Sequence, residues 1–139
     1  MKRLALAGLA ATVIGLGPAA YAHHAHPDFL EDQTATVTGT IERIDFKNPH
    51  VIIALRTAES VLYKAEWQAA EWLQRHKQFV TPIEGPVEVN TLHSGDRIVV
   101  VGSPHRDPSR HELAKLKRVE RPLDGWLWTC SRPEKRHIC

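Results

Sequence analysis

The sequence predicts a mainly β protein: a small five-stranded OB-like barrel with one short helix between strands three and four. Three observations carry this. Residues 34–47 alternate apolar and polar side chains over one long run with Gly39 inside it. The predicted elements then follow in the order strand, strand, strand, helix, strand, strand. Once an amino-terminal leader is set aside, the chain is also the size of one domain with a modest core.

In the first strand Val37, Gly39 and Ile41 are offset against Thr36, Thr38, Thr40 and Glu42, and Ile44 and Phe46 continue the run. A glycine within such a run marks a bulge or a sharp bend, which lets one strand serve both halves of a curled sheet. Asn48-Pro49 then breaks the run as a turn. Residues 50–57, with Val51, Ile52, Ile53 and Leu55, read as a second strand. Residues 61–67 read as a third, joined to it across Ala58-Glu59-Ser60 as a hairpin. Residues 68–77 hold no Gly or Pro and set Ala69, Leu73 and His76 at helical spacing beside Trp72, which predicts the helix. Residues 78–90, interrupted by Pro82, Gly85 and Pro86, read as irregular, with room for a brief strand at 87–89. Ile98, Val99, Val100 and Val101 centre a fourth strand over 97–102, and Leu113, Leu116 and Val119 mark the inner side of a fifth over 110–121. Residues 126–129 add a short last strand. The competing architecture is a small β-sandwich.

Met1-Lys2-Arg3 is a short positive segment, Leu4 to Gly17 carry no charge, and Ala20 and Ala22 supply the small residues a signal peptidase accepts. The apolar run is about 14 residues where a spanning helix needs roughly 20, so a cleavable leader outweighs a membrane anchor. No cysteine follows the apolar run, which argues against a lipoprotein. The expected organisation is a signal peptide at 1–22, a histidine-rich arm at 23–33, the barrel at 34–121 and a tail at 122–139. Export to a bacterial periplasm or beyond it is expected, with no membrane span in the mature protein. In such an oxidising compartment, Cys130 and Cys139 are placed to close a small loop in the tail.

Charge narrows the function. Lys2 and Arg3 leave with the leader and no acid does, so the 18 basic residues fall level with the 16 acidic ones. A neutral domain lacks the electrostatic footprint of a general nucleic-acid binder. The chain has no Gly-x-Ser-x-Gly elbow, no His-Glu-x-x-His and no phosphate-cradling glycine loop, and nothing points to a reaction. Asp45, Glu66 and Glu71 read as single solvated carboxylates. Trp67 and Trp72 read as core and barrel plug, and Trp126 and Trp128, alternating on the last strand, as cover for an edge of the barrel.

The histidines are the exception. Of nine, His23, His24 and His26 fall within four positions, and imidazole suits copper, zinc and nickel. Cleavage after Ala22 places a free α-amine on His23. That amine and the His23 ring nitrogen then chelate one metal, with His24 or His26 adding a third nitrogen. Copper(II) favours such nitrogen-rich tetragonal sites. Cleavage after Ala20 gives Tyr21-Ala22-His23 instead, with the histidine third, which suits square-planar copper or nickel. His50 leaves the stiff Asn48-Pro49 turn in a defined direction and completes the site if the arm folds back along that end of the barrel. His76, His93, His105, His111 and His137 are scattered and read as surface residues. The expected function is an exported binding module that handles a transition metal, copper first, through His23, His24, His26 and His50. The alternative is an envelope interaction protein whose barrel face holds a peptide, glycan or protein without metal. A plain solvated arm with only adventitious metal affinity stands beside both.

Ala22-His23-His24, Val37-Thr38-Gly39-Thr40-Ile41, Phe46-Lys47-Asn48-Pro49-His50-Val51, and Gly95-Asp96 ahead of Val99-Val100-Val101-Gly102 together resemble an uncharacterised family of small exported bacterial proteins. Mature chains of that family start with Ala-His-His and carry an aromatic-x-Asn-Pro-His turn after a Gly-Thr strand. The resemblance runs from His23 to Val119 and implies an OB-like barrel and no known reaction. Residues 78–90 are longer than the connection the family implies, and the cysteine-bearing tail departs from it.

Overall fold

A computed structural model describes residues 27–75 and 91–130. Within them run β1 (Ala35–Asp45), β2 (Ile52–Arg56), β3 (Leu62–Glu66), α1 (Ala70–Arg75), β4 (Arg97–Pro104), β5 (Glu112–Arg121) and β6 (Trp126–Thr129). Neighbouring strands pair antiparallel in the order β3-β2-β1-β4-β5-β6. A short parallel contact, Lys64 against Glu112 and Ala65 against Leu113, joins β3 to β5 and closes the first five strands into a barrel. This is the five-stranded barrel with one helix between strands three and four that the pattern predicts; among the described residues no second sheet packs across it as a sandwich requires.

β1 explains the closure. Val37 and Ile41 are buried while Thr36, Thr38 and Thr40 are exposed, the alternation of a half-buried strand. Its first half pairs with β4 over Ala35 to Thr40, and its second half pairs with β2 from Thr40 onward. The hand-over falls beside Gly39, where an added Cβ would stand 2.8 Å from the Arg56 carbonyl oxygen. Gly39 therefore serves a close backbone approach, and the register shift itself lies further on, between Ile41 and Arg43.

The spacing of Leu113, Leu116 and Val119 is not that of a regular strand, yet all three are buried. The β4–β5 ladder shifts register between Val101 and Ser103, and Lys115 opposite takes a left-handed φ of 48°. That irregularity re-aims the strand, so Leu116 and Val119 both turn inward. β5 starts at Glu112 rather than Arg110, because a 3-10 turn, Pro108–Arg110, occupies the expected first residue and Asp107 caps it. β2 likewise starts at Ile52, after an Asn48-Pro49 turn whose peptide bond is cis.

One core fills the barrel, with Ile41, Ile53, Leu55, Leu73, Leu92, Ile98, Leu113 and Val119 at its heart. Trp67 meets Trp126 and Trp128 edge-on at ring separations of 6.5 and 5.1 Å. β6 thus lays both of its inward tryptophans on the same end of the core as α1. Cys130, just past β6, is disulfide-bonded. The chain has one other cysteine, Cys139, and that residue lies outside the described ones. No helix among the described residues is long and apolar enough to cross a membrane.

Candidate functional site

His50 follows the turn that links β1 to β2, and that turn is strapped to the end of β3. Val51 donates to the Gln68 carbonyl at 3.0 Å and accepts from the Trp67 amide at 2.8 Å. The Asn48 side chain accepts from the Glu71 amide at 3.1 Å, at the first turn of α1. The Asn-Pro-His segment is thus fixed on both flanks before its histidine is considered. Glu66 ends β3 opposite Ile52, and this register brings its carboxylate to His50: Nδ1 and Oε1 are 2.9 Å apart, with both side chains half-buried. In the neutral imidazole, Nδ1–H donates to the carboxylate and Nε2 carries the lone pair. Metal-ligating histidines are commonly oriented this way.

Sequence reasoning read Glu66 as solvated, and the structure corrects that reading. The signal was present in the hairpin: once residues 58–60 are a turn, the strands around it set residue 66 beside residue 52, two places from His50. Of the four expected metal ligands, His50 alone lies among the described residues; His23, His24 and His26 lie outside them. Among the described residues, no three His, Cys, Asp or Glu side chains gather as a metal cluster.

The stretch leading out of the arm docks on the barrel. Arg106 donates from its backbone amide to Asp28 O at 2.8 Å and from Nε to Pro27 O at 2.7 Å. Leu30 donates to Pro104 O at 2.9 Å, and Lys115 pairs with Glu31 at 2.6 Å. Phe29 packs edge-on against His105, with ring centroids 5.2 Å apart. It lines a cleft of about 420 Å³ together with Asp45, Lys64, Glu66 and Glu112, on the face formed by β1, β2 and β3. In an OB barrel, the face of the second and third strands is the usual ligand surface.

Three of the scattered histidines are not plain surface residues. His105 accepts from the Asp107 amide at 2.9 Å. Both ring nitrogens of His93 and the Nδ1 of His111 are buried without a hydrogen-bond partner. Arg121, at the end of β5, is the largest fully buried side chain of the described residues. It spans Asp96 at 2.9 Å, Asp124 at 2.8 Å and the Thr91 carbonyl at 2.5 Å. Its guanidinium also sits 5.8 Å from the Trp126 ring centre. The hydrogen bonds from Arg121 hold the Asp124 carboxyl below its ordinary range.

Fold and site together define a small closed β-barrel that carries a histidine–carboxylate pair at the rim of its β1–β2–β3 face. The chain belongs to a family of unknown function, DUF6152, whose profile matches residues 11–115. No curated protein matches it.

Proposed function

We propose that this protein is an exported, non-enzymatic binding module for a transition metal, copper first, held by the histidine arm His23, His24 and His26 together with His50. The observation that carries this reading is the 2.9 Å contact between His50 Nδ1 and Glu66 Oε1. A carboxylate on one ring nitrogen selects the tautomer whose other nitrogen can ligate, and it raises the basicity of that nitrogen. Chain geometry supports the meeting. Phe29, which shares the cleft with Glu66, comes three residues after His26 in the sequence. Cleavage after Ala22 adds the α-amine of His23 as a further nitrogen, and copper(II) suits such a set.

The test starts from exported protein whose native amino terminus has been verified by mass spectrometry. Copper(II) is titrated into it and into His23→Ala, His24→Ala and His50→Ala, with glycine present as a weak competing chelator. Binding that outcompetes glycine in the parent and is lost in each variant is the expected result. Binding no stronger than glycine's in the parent, or equal in all four proteins, overturns the proposal.

A further inference from the structure

We infer that the open edge of β1 is a docking site for an extended peptide segment that carries a carboxylate. The site lies away from the histidine–glutamate pair and does not depend on the metal reading. Among the described residues, β1 has β4 as its only ladder partner over Ala35 to Gly39, because β2 joins it at Thr40 and then turns away into the β2–β3 hairpin. Ile41 exchanges hydrogen bonds toward the β4 side, donating to Asp96 O at 2.9 Å and accepting from Gly95 N at 2.8 Å. Backbone groups of an antiparallel strand alternate in direction. Those of Thr36 and Thr38 therefore face the other way, where no strand among the described residues pairs with them. They open into a cleft of about 540 Å³ that reaches Tyr63 and His111. An unpaired edge of this kind is a template for strand addition.

Charge selects the occupant. Arg97, Thr40 and Arg56 stand side by side across β4, β1 and β2, at the end of the open edge. Arg56 is committed, donating to both carboxylate oxygens of Glu42 and to Ser60 O. Arg97 lines the same cleft and is exposed, and its guanidinium makes no hydrogen bond or ion pair with any described residue. Glu59 also borders the cleft, but hydrogen bonds from its own backbone and from Thr57 hold its carboxyl below the usual range. It is engaged within its turn, which leaves Arg97 as the open charge. His111 adds a second sign of an unfilled site. Its Nδ1 is buried without a hydrogen-bond partner. An extended peptide supplies N–H and C=O groups in the spacing Thr36 and Thr38 present, and its carboxylate meets Arg97.

The probe is the blocked peptide acetyl-Val-Thr-Val-Thr-Val-Glu-amide, titrated into the full exported protein and followed by backbone amide NMR. Two controls are run: the same peptide ending in Lys, and one N-methylated at alternate residues so that it cannot donate to the edge. The Glu peptide is expected to shift and protect the amides of Thr36 and Thr38. The Lys peptide and the Arg97→Gln protein are expected to bind about tenfold more weakly, the loss of one charge-assisted hydrogen bond. Arg97 has no partner to lose, so this variant folds as the parent does. Equal binding of the Glu and Lys peptides, undiminished binding of the methylated one, or an unchanged Thr36 and Thr38 during saturation each overturns the inference.

Discussion

Replacing Arg121 with methionine is expected to destabilise the barrel by about 3–5 kcal/mol, the usual cost of removing one partner from a buried ion pair. The guanidinium is 1% exposed, and Asp96, which it pairs at 2.9 Å, is only 11% exposed. Without Arg121, Asp96 keeps the His93 amide at 2.9 Å as a donor but loses its counter-charge. The Thr91 carbonyl and Asp124 also lose the hydrogen bonds that Arg121 donates, while Asp124 keeps the Trp126 amide at 3.2 Å. Arg121 thus ties the loop before β4, the end of β5 and the turn into β6 around one cation. Domains of this size hold about 5–15 kcal/mol in total, so the variant gives up a large share. Urea unfolding followed by tryptophan fluorescence reads this directly, because Trp126 and Trp128 are core residues. A loss below about 1 kcal/mol, the worth of a surface pair, refutes the assignment.

The same network sets an acid limit. Hydrogen bonds from Arg121 hold the folded Asp124 carboxyl below the ordinary aspartate range. A depressed carboxyl adds stability that is fully present above its unfolded value and is lost as pH falls through the folded one. The parent is therefore expected to lose stability on acidification from about pH 4 downward. Asp124→Asn should flatten that slope while lowering stability at neutral pH. Asp124 is 44% exposed, so its part is smaller than that of Arg121. An unaltered acid slope in Asp124→Asn counts against the link.

The barrel was legible because its evidence is local. Alternation in residues 36–41, the proline turn after Asn48 and the gap between strands three and four each report a backbone state that near neighbours dictate. The bend in β5 was half legible: Leu113, Leu116 and Val119 were identified as inward, but the left-handed Lys115 that reconciles their spacing was not. What the sequence hid depends on contacts between residues far apart along it. Arg121 has the same chemistry as the exposed Arg118 three residues earlier, and only the arrival of Asp96, Asp124 and Trp126 makes it a core residue. The open edge at Thr36 and Thr38 was hidden for the same reason. It exists because β2 departs after Arg56, and alternation alone does not say where a partner strand stops.

Glu66→Gln separates an orienting carboxylate from a bystander, and under the metal proposal it is expected to weaken copper(II) binding by about 10–100-fold. Glutamine keeps the shape and offers an oxygen to Nδ1–H, but it removes the negative charge that faces the ring. The pair is half-exposed, with side chains 35% and 24% accessible. The substitution should therefore cost the fold no more than about 1 kcal/mol, and an unchanged urea midpoint verifies that the metal effect is not partial unfolding. His50→Ala removes the ligand outright and should lose at least as much affinity as Glu66→Gln. The double variant should then be no worse than His50→Ala, because a carboxylate that acts through the ring has nothing left to orient. Additive losses would mean instead that Glu66 binds the metal itself. Affinity unchanged in Glu66→Gln but lost in His23→Ala would assign the copper to the arm alone and remove the barrel from the site.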